Sequence, residues 1–501
     1  MSKRTAPPGL GPNRGSLASG ALTAGSLFVV SGVAAAVGVV IAREFGRGPQ
    51  TDGLLVAYGV FIVIAISAQA IRIAVLPALA RARDEDRLAG ELVGFALALA
   101  AIAVPLVLVT ELAASWIATV LTGDGSGVAH DTAEEVLRWV VPAGCLYLFA
   151  GIAASGLAAL DDYALAALGY AAGSLSGLML ILLRADPDGI IAIAWGMTLN
   201  GTISLLVPLI GLAVRARRER MPRRAVRPTG PPLRARFGTF LVGAALPLAL
   251  QLLYVVCLPF ASREGEGAAT SFVYAFLGAS ALVTVTGGSL GLVTSVPLSR
   301  LGLDPKASAR HIAAASWISL AVVGAACGVF ALAGGDVVER VLGGAYGGEV
   351  GAELGRLIVL LAPWIIASVA ISLAFPLTFV TDRTRALPWI GLAALVLQVP
   401  LAWLGAEAFE LDGLALALGL TTVLVCIALL RELGVLADSG RALVVAALTI
   451  GAMSAVAFAA PSLVLGSVSA AVVGVVAYAA LLAAIRPRGL AAGWQYLRAL
   501  G

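Results

Sequence analysis

The sequence is a succession of apolar runs, most of them longer than the ~18 to 20 residues a helix needs to cross a hydrocarbon core about 30 Å thick. The first, from Ser16 to Ala42, carries no charge at all. In lipid, a segment must satisfy its backbone polar groups internally, which only helices and closed barrels do. No run shows the ten-residue alternation of a barrel strand, so the spans are helices. Composition excludes the soluble classes: 60% of residues are hydrophobic, 12% are charged and the mean hydropathy is +0.98. The first run is too long for the ~7 to 15 residue core of a signal peptide, and no small-residue cleavage site follows it. It is predicted to stay as the first span.

Apolar length and charged punctuation give 14 spans, near 16–42, 53–80, 89–113, 134–158, 162–183, 189–214, 237–262, 268–299, 308–333, 355–380, 386–406, 412–430, 442–460 and 464–485. Arginine and lysine check this list independently, because they are retained on the cytoplasmic side. The two tails and alternate loops hold 25 of them and the opposite loops six, with Arg72 and Arg138 inside or at the edge of spans completing the 33. The bias predicts cytoplasmic N- and C-termini and an outward-facing first loop.

The richest basic loop, "RARRERMPRRAVRPTGPP" at 215–232, falls near the middle of the chain. It reads as a flexible positive-inside linker, with anionic headgroups as a secondary contact. No aromatic residues interleave its arginines, which argues against nucleic acid. It divides the chain into a tail (1–15), an N-lobe (16–214), the linker (215–236), a C-lobe (237–435), a helix pair (436–485) and a second tail (486–501). The halves match loosely: "VLPALAR" (75–81) with "TSVPLSR" (294–300), and the hairpins around Asp161 and Asp382. Pro77 to Asp161 is 84 residues and Pro297 to Asp382 is 85. Six spans per half make the repeat parallel, about an axis along the membrane normal, with the last two spans outside it. The fold class expected is an all-α polytopic membrane protein of two six-helix lobes plus a C-terminal pair.

"IAREFGRGPQTDGLLVAYGV" (41–60), followed after span two by "VLPALARARDED" (75–86), resembles the MurJ/MviN-type lipid II flippases of the multidrug/oligosaccharidyl-lipid/polysaccharide exporter superfamily. "GGSLGLVTSVPLSR" (287–300) is similar to that family's pattern at the end of span eight, and "RVLGGAYGGEVGAELGRLIVLLAPW" (340–364) to its outer amphipathic segment. The resemblance covers the whole chain. It implies lobes that rock about a central cavity and carry an undecaprenyl-diphosphate-linked saccharide, lipid II or a related envelope precursor, across a bacterial cytoplasmic membrane. It also implies the bilayer itself and cell-wall synthesis proteins as partners.

The chain departs from the family at several charges. The Arg-Asp pair of span one is replaced by "SGVAAAVGVV" (31–40), the double arginine of span two by "FIVIAISAQA" (61–70), and Y-A-D-R in span eight by "YAFL" (274–277). Of the family's cavity charges, Asp52 alone maps directly. Two other classes stay open: a transport-deficient scaffold of envelope biogenesis, and a MATE-like small-molecule exporter. The exporter needs an intramembrane carboxylate to bind its driving ion, and span one offers none while span seven offers Gln251 and Tyr254.

Candidate site residues follow from charge at depth. Arg72 lies inside span two, where a lipid-facing arginine costs up to ~2.5 to 3.5 kcal/mol. Gln69, Ala68 and Ala65 share its helical face, so Arg72 is expected to face the cavity and offer a fork to a diphosphate, with Gln69 beside it; snorkelling to the headgroups is the rival. Arg138 is a weaker candidate, since Glu134 and Glu135 stand one turn earlier. In the loop "REFGRGPQTDG" (43–53), Asp52 reads either as part of a solvated turn or as a gate at the outer mouth, with Arg43 beside it and Arg263 as partner. Cys145, Cys257, Cys327 and Cys426 all fall within spans, and His130 and His311 are isolated, so no metal, disulfide or cofactor is expected. "GGSLG" reads as helix packing rather than a nucleotide cradle, and nothing suggests an enzyme.

Overall fold

The computed structural model describes residues 14–123, 127–218, 232–288, 305–381 and 383–500. Fifteen helices fill them: α1 (Arg14–Phe45), α2 (Pro49–Asp84), α3 (Leu88–Thr122), α4 (Val128–Ala159), α5 (Tyr163–Asp188), α6 (Ile191–Arg218), α7 (Leu233–Ala261), α8 (Ala268–Val283), α9 (Pro305–Leu342), α10 (Gly348–Leu360), α11 (Ala362–Val380), α12 (Leu387–Glu432), α13 (Leu436–Ser462), α14 (Ser467–Ile485) and α15 (Arg488–Leu500). No strand occurs among the described residues.

Twelve helices among the described residues are long and apolar enough to cross a membrane, α12 among them. At 1.5 Å per residue its 46 residues would reach about 70 Å, more than twice the hydrocarbon thickness. The helix breaks at Phe409 and Glu410, whose φ is +52°, and so makes two passes. With the 32-residue α1, the passes total the 14 expected. The chain is an all-α polytopic membrane protein.

Most helices overrun their apolar runs. α3 continues to Thr122, past a non-helical residue at Ala113 (φ −122°, ψ 17°). The span expected at 355–380 is two helices, the amphipathic α10 and then α11, joined at Leu361. The C-terminal tail holds α15, which packs along α9 with Gly489 against Trp317 and Gly493 against Ala314. The repeat motif of span eight at 294–300, the rest of the family motif from 289 on and Asp382 lie outside the described residues, as does most of the linker.

The chain forms two compact units. The first comprises the described residues of 1–38, 64–112 and 138–243. In it α5 and α6 meet through small residues: a Cβ at Gly177 would press on the Gly196 carbonyl, and one at Gly173 on Ser204 and Asn200. Such close backbone approach supplies van der Waals packing where lipid removes a hydrophobic drive. The second unit comprises 39–63, 113–137 and the described residues from 244 on. In it α9 packs on α13 and α14, with Ser454 Oγ donating to the Gly324 carbonyl (2.7 Å) and Tyr478 donating to that of Ala321 (2.9 Å).

Candidate functional site

Of the residues singled out from the sequence, Asp52 and Arg43 fall in one cluster and Arg72 in another. In the second unit the chain turns at Gly46, with φ +66°, and re-enters a helix at Pro49, which suits the first helical position because it lacks an N–H. That places Asp52 in the first turn of α2, where it is 6% exposed. Its carboxylate accepts from Gly267 N (2.6 Å), Thr270 N (2.8 Å) and Thr270 Oγ1 (2.6 Å). The two N–H donors lie at the start of α8, which has no side-chain cap of its own and starts from Gly267 at φ +78°. Asp52 therefore caps α8 across the fold, with its charge at the positive end of the helix dipole.

Neighbouring groups brace the same turn. Arg47 donates from Nε to the Gly267 carbonyl (3.0 Å) and lies 3.6 Å from Glu353. Arg43 donates to the carbonyls of Val341 (3.2 Å) and Arg340 (3.0 Å). Tyr346 donates to the Gly46 carbonyl (2.9 Å). Burial raises the Tyr346 phenol above its ordinary range, which keeps that proton in place. Arg263, expected opposite Asp52, is exposed, and its guanidinium lies over Phe260 at 5.9 Å.

In the first unit Arg72 lines a cavity of about 100 Å³ with Ser26, Ala65, Ala68, Tyr147 and Tyr170. Its guanidinium sits 5.4 Å from the Tyr170 ring centroid, and the two side chains are hydrogen-bonded. Tyr147, 5.5 Å from Tyr170 between ring centroids, engages Ser174, Asn200 and Ser204. The stem of Arg72 passes Gly151, where a Cβ would lie 3.4 Å from its Cγ. Ala65 and Ala68 thus share the cavity with Arg72. The side chain of Gln69 lies outside the described residues. Arg138 is exposed on α4 and is not among the residues that line this cavity.

At "YAFL" the structure replaces charge with rings. Phe276 stacks on Tyr254 at 4.0 Å and tilts against Trp364 at 5.0 Å, and Tyr274 meets Tyr346 edge-on at 5.4 Å. Among the described residues no group of three His, Cys, Asp or Glu could hold a metal ion.

The family model for "Lipid II flippase MurJ" matches residues 41–481. The chain belongs to the MurJ family. Among solved structures, "Lipid II flippase MurJ, inward closed conformation" is similar with a TM-score of 0.73 at 16% identity, over 94% of this chain and 99% of that one. An inward-facing MATE multidrug resistance transporter of the MOP superfamily aligns with a TM-score of 0.58 at 18% identity, over 82% and 94%. A eukaryotic MATE transporter, AtDTX14, gives 0.57 at 14%, over 87% and 98%. At these identities the structural likeness concerns the fold alone. No curated protein matches the sequence.

Within a MurJ fold, one feature had no signal in the sequence. Arg236 and Glu91 form an ion pair at 2.7 Å with side chains 2% and 5% exposed, and Arg236 lies over Phe95 at 5.3 Å. The pair joins the starts of α3 and α7.

Proposed function

We propose that the protein flips an undecaprenyl-diphosphate-linked saccharide, a lipid II-class envelope precursor, from the inner to the outer leaflet of a bacterial cytoplasmic membrane, with both termini inside. The observation that carries the reading beyond family membership is Arg72. It is an arginine among membrane-spanning helices, ordered over Tyr170, in a cavity otherwise lined by small and aromatic residues. A planar guanidinium offers a bidentate fork to a diphosphate oxygen pair, which a point charge does not. A second groove, of about 420 Å³ between α9, α11 and α13, is apolar along Cys327, Ile366, Ile450 and Phe458 and suits a polyprenyl chain. Asp52 supplies an outer latch: while it caps α8 the first turn of α2 is held to that helix, and release of the glycan requires those three hydrogen bonds to part.

Transport needs no bond-making, so none of these residues is assigned a covalent role. The reading is tested by depletion in the native bacterium. One undecaprenyl-diphosphate-linked precursor should accumulate on the cytoplasmic leaflet, and Arg72→Gln at matched expression should reproduce the accumulation while Arg72→Lys does so partially. Full complementation by Arg72→Gln removes the diphosphate role.

A second reading, a scaffold that has lost transport, draws support from the stack of Phe276 with Tyr254 and Trp364, where the family's charges are gone. Depletion without accumulation of any precursor would favour it.

A further inference from the structure

Where α6 ends in Arg215, Arg217 and Arg218, it leaves against α5 a cavity of about 370 Å³. Its walls are Leu165, Ile210 and Val214; its mouth is Asp162, Arg215 and Arg218. We propose that this notch binds an anionic phospholipid of the surrounding bilayer, with the phosphodiester on the arginines and one acyl chain along α6.

Charge sets the sign of the headgroup. Arg215 donates from Nε (3.1 Å) and Nη2 (2.9 Å) to Asp162 Oδ2, while Oδ1 of the same carboxylate caps α5 by accepting from Leu165 N (3.2 Å). The Asp162 charge is thereby neutralised and the guanidinium fixed in orientation. Arg218 is exposed, and among the described residues it makes no ion pair or hydrogen bond. The mouth thus carries a net positive charge and an exposed planar fork, the geometry that grips a phosphate.

The walls set the rest of the ligand. Ile210 is 61% and Val214 43% exposed, and Leu206, Leu209 and Leu168 beside them are exposed too, so this face of the helix pair meets lipid tails. Val214 and Ile210 stand one and two turns from Arg218 on the same face of α6, so an acyl chain lies along them while its headgroup stays level with the arginine. Basic pockets between spanning helices recognise anionic lipids in this way. The site is separate from the Arg72 cavity, to which α5 presents Tyr163, Ala166, Ala167 and Tyr170 instead.

Native mass spectrometry of the full chain in neutral detergent tests it, with phosphatidylglycerol, phosphatidylcholine and inorganic phosphate titrated separately and together. The protein should retain phosphatidylglycerol as a discrete adduct, and Arg218→Gln should lower the retained fraction about fivefold, the value of one interfacial arginine. Val214→Glu, which sets a carboxylate on the exposed wall, should abolish retention, with the thermal unfolding of both variants unchanged. Phosphatidylcholine should be held weakly and equally by all three proteins, and inorganic phosphate should leave the adduct in place. Equal retention by the parent protein and Arg218→Gln, equal retention of the two lipids, or displacement by inorganic phosphate overturns the proposal.

Discussion

The carboxylate of Asp52 caps a helix whose first N–H belongs to Gly267, 215 residues further along the chain. Three hydrogen bonds to one buried charge are worth more than a surface ion pair, since charge-assisted bonds are about twice as strong as neutral ones. Asp52→Asn keeps the shape but loses the charge and turns one acceptor into a donor facing an N–H. It should cost about 1–3 kcal/mol of stability, and Thr270→Val, which removes the hydroxyl bond alone, about 1 kcal/mol, both read as thermal unfolding in detergent. The Glu91–Arg236 pair makes a sharper case. Glu91→Gln strands a buried guanidinium and should destabilise by about 3–5 kcal/mol, whereas Glu91→Leu with Arg236→Met should come within about 1–2 kcal/mol of the parent. A double variant as unstable as the single one would show that the pair does more than neutralise itself. The presence of charge at positions 52, 91 and 236 was legible in the sequence. The pairing was not, because a carboxylate at a loop edge reads as solvated until its partner, far away in the chain, is placed beside it.

Elements were far more legible, because length and hydropathy act locally. The run at 464–485 is α14 to within three residues, and the run at 134–158 is α4, which begins six residues earlier. Misses occurred where apolarity continued through a turn or helix continued past apolarity: α10 and α11 merged in one run, and α3 passes the kink at Ala113, where its run ends, and continues to Thr122. The break in α12 is visible in sequence as "AEAFELDG" (406–413), but its closeness is not. Gly405 and Gly413 pack backbone against backbone, and a Cβ at Gly413 would run into the Gly405 carbonyl. Gly413→Val should therefore cost about 1–3 kcal/mol by overpacking and lower the monodisperse fraction in size exclusion. Gly451→Val in α13, where a Cβ meets nothing within 4 Å, should leave that fraction unchanged.

At the scale of the whole molecule the charge bias makes a claim that single cysteines can check. In a cysteine-free background, Glu266→Cys, between α7 and α8, should react with a membrane-impermeant maleimide in intact cells. Ala437→Cys, exposed near the start of α13, should react only after permeabilisation; the reverse pattern would invert the topology. The family fold was legible from a few motifs, since the turn at 43–53 and the spacing of spans survive even where the cavity charges have gone. What replaced those charges was not, because "YAFL" carries no mark of the ring stack it builds with Trp364. The division into units also has a consequence for synthesis. Residues 39–63 and 113–137 belong with the chain beyond 244, so when the ribosome has delivered the first six spans, the far ends of α1 to α4 still lack their neighbours. Asp52 then waits, uncapping and uncapped, for α8 to emerge. A nascent chain stalled before residue 268 should be a preferred target for membrane proteases, and survival should rise abruptly once α8 has been inserted.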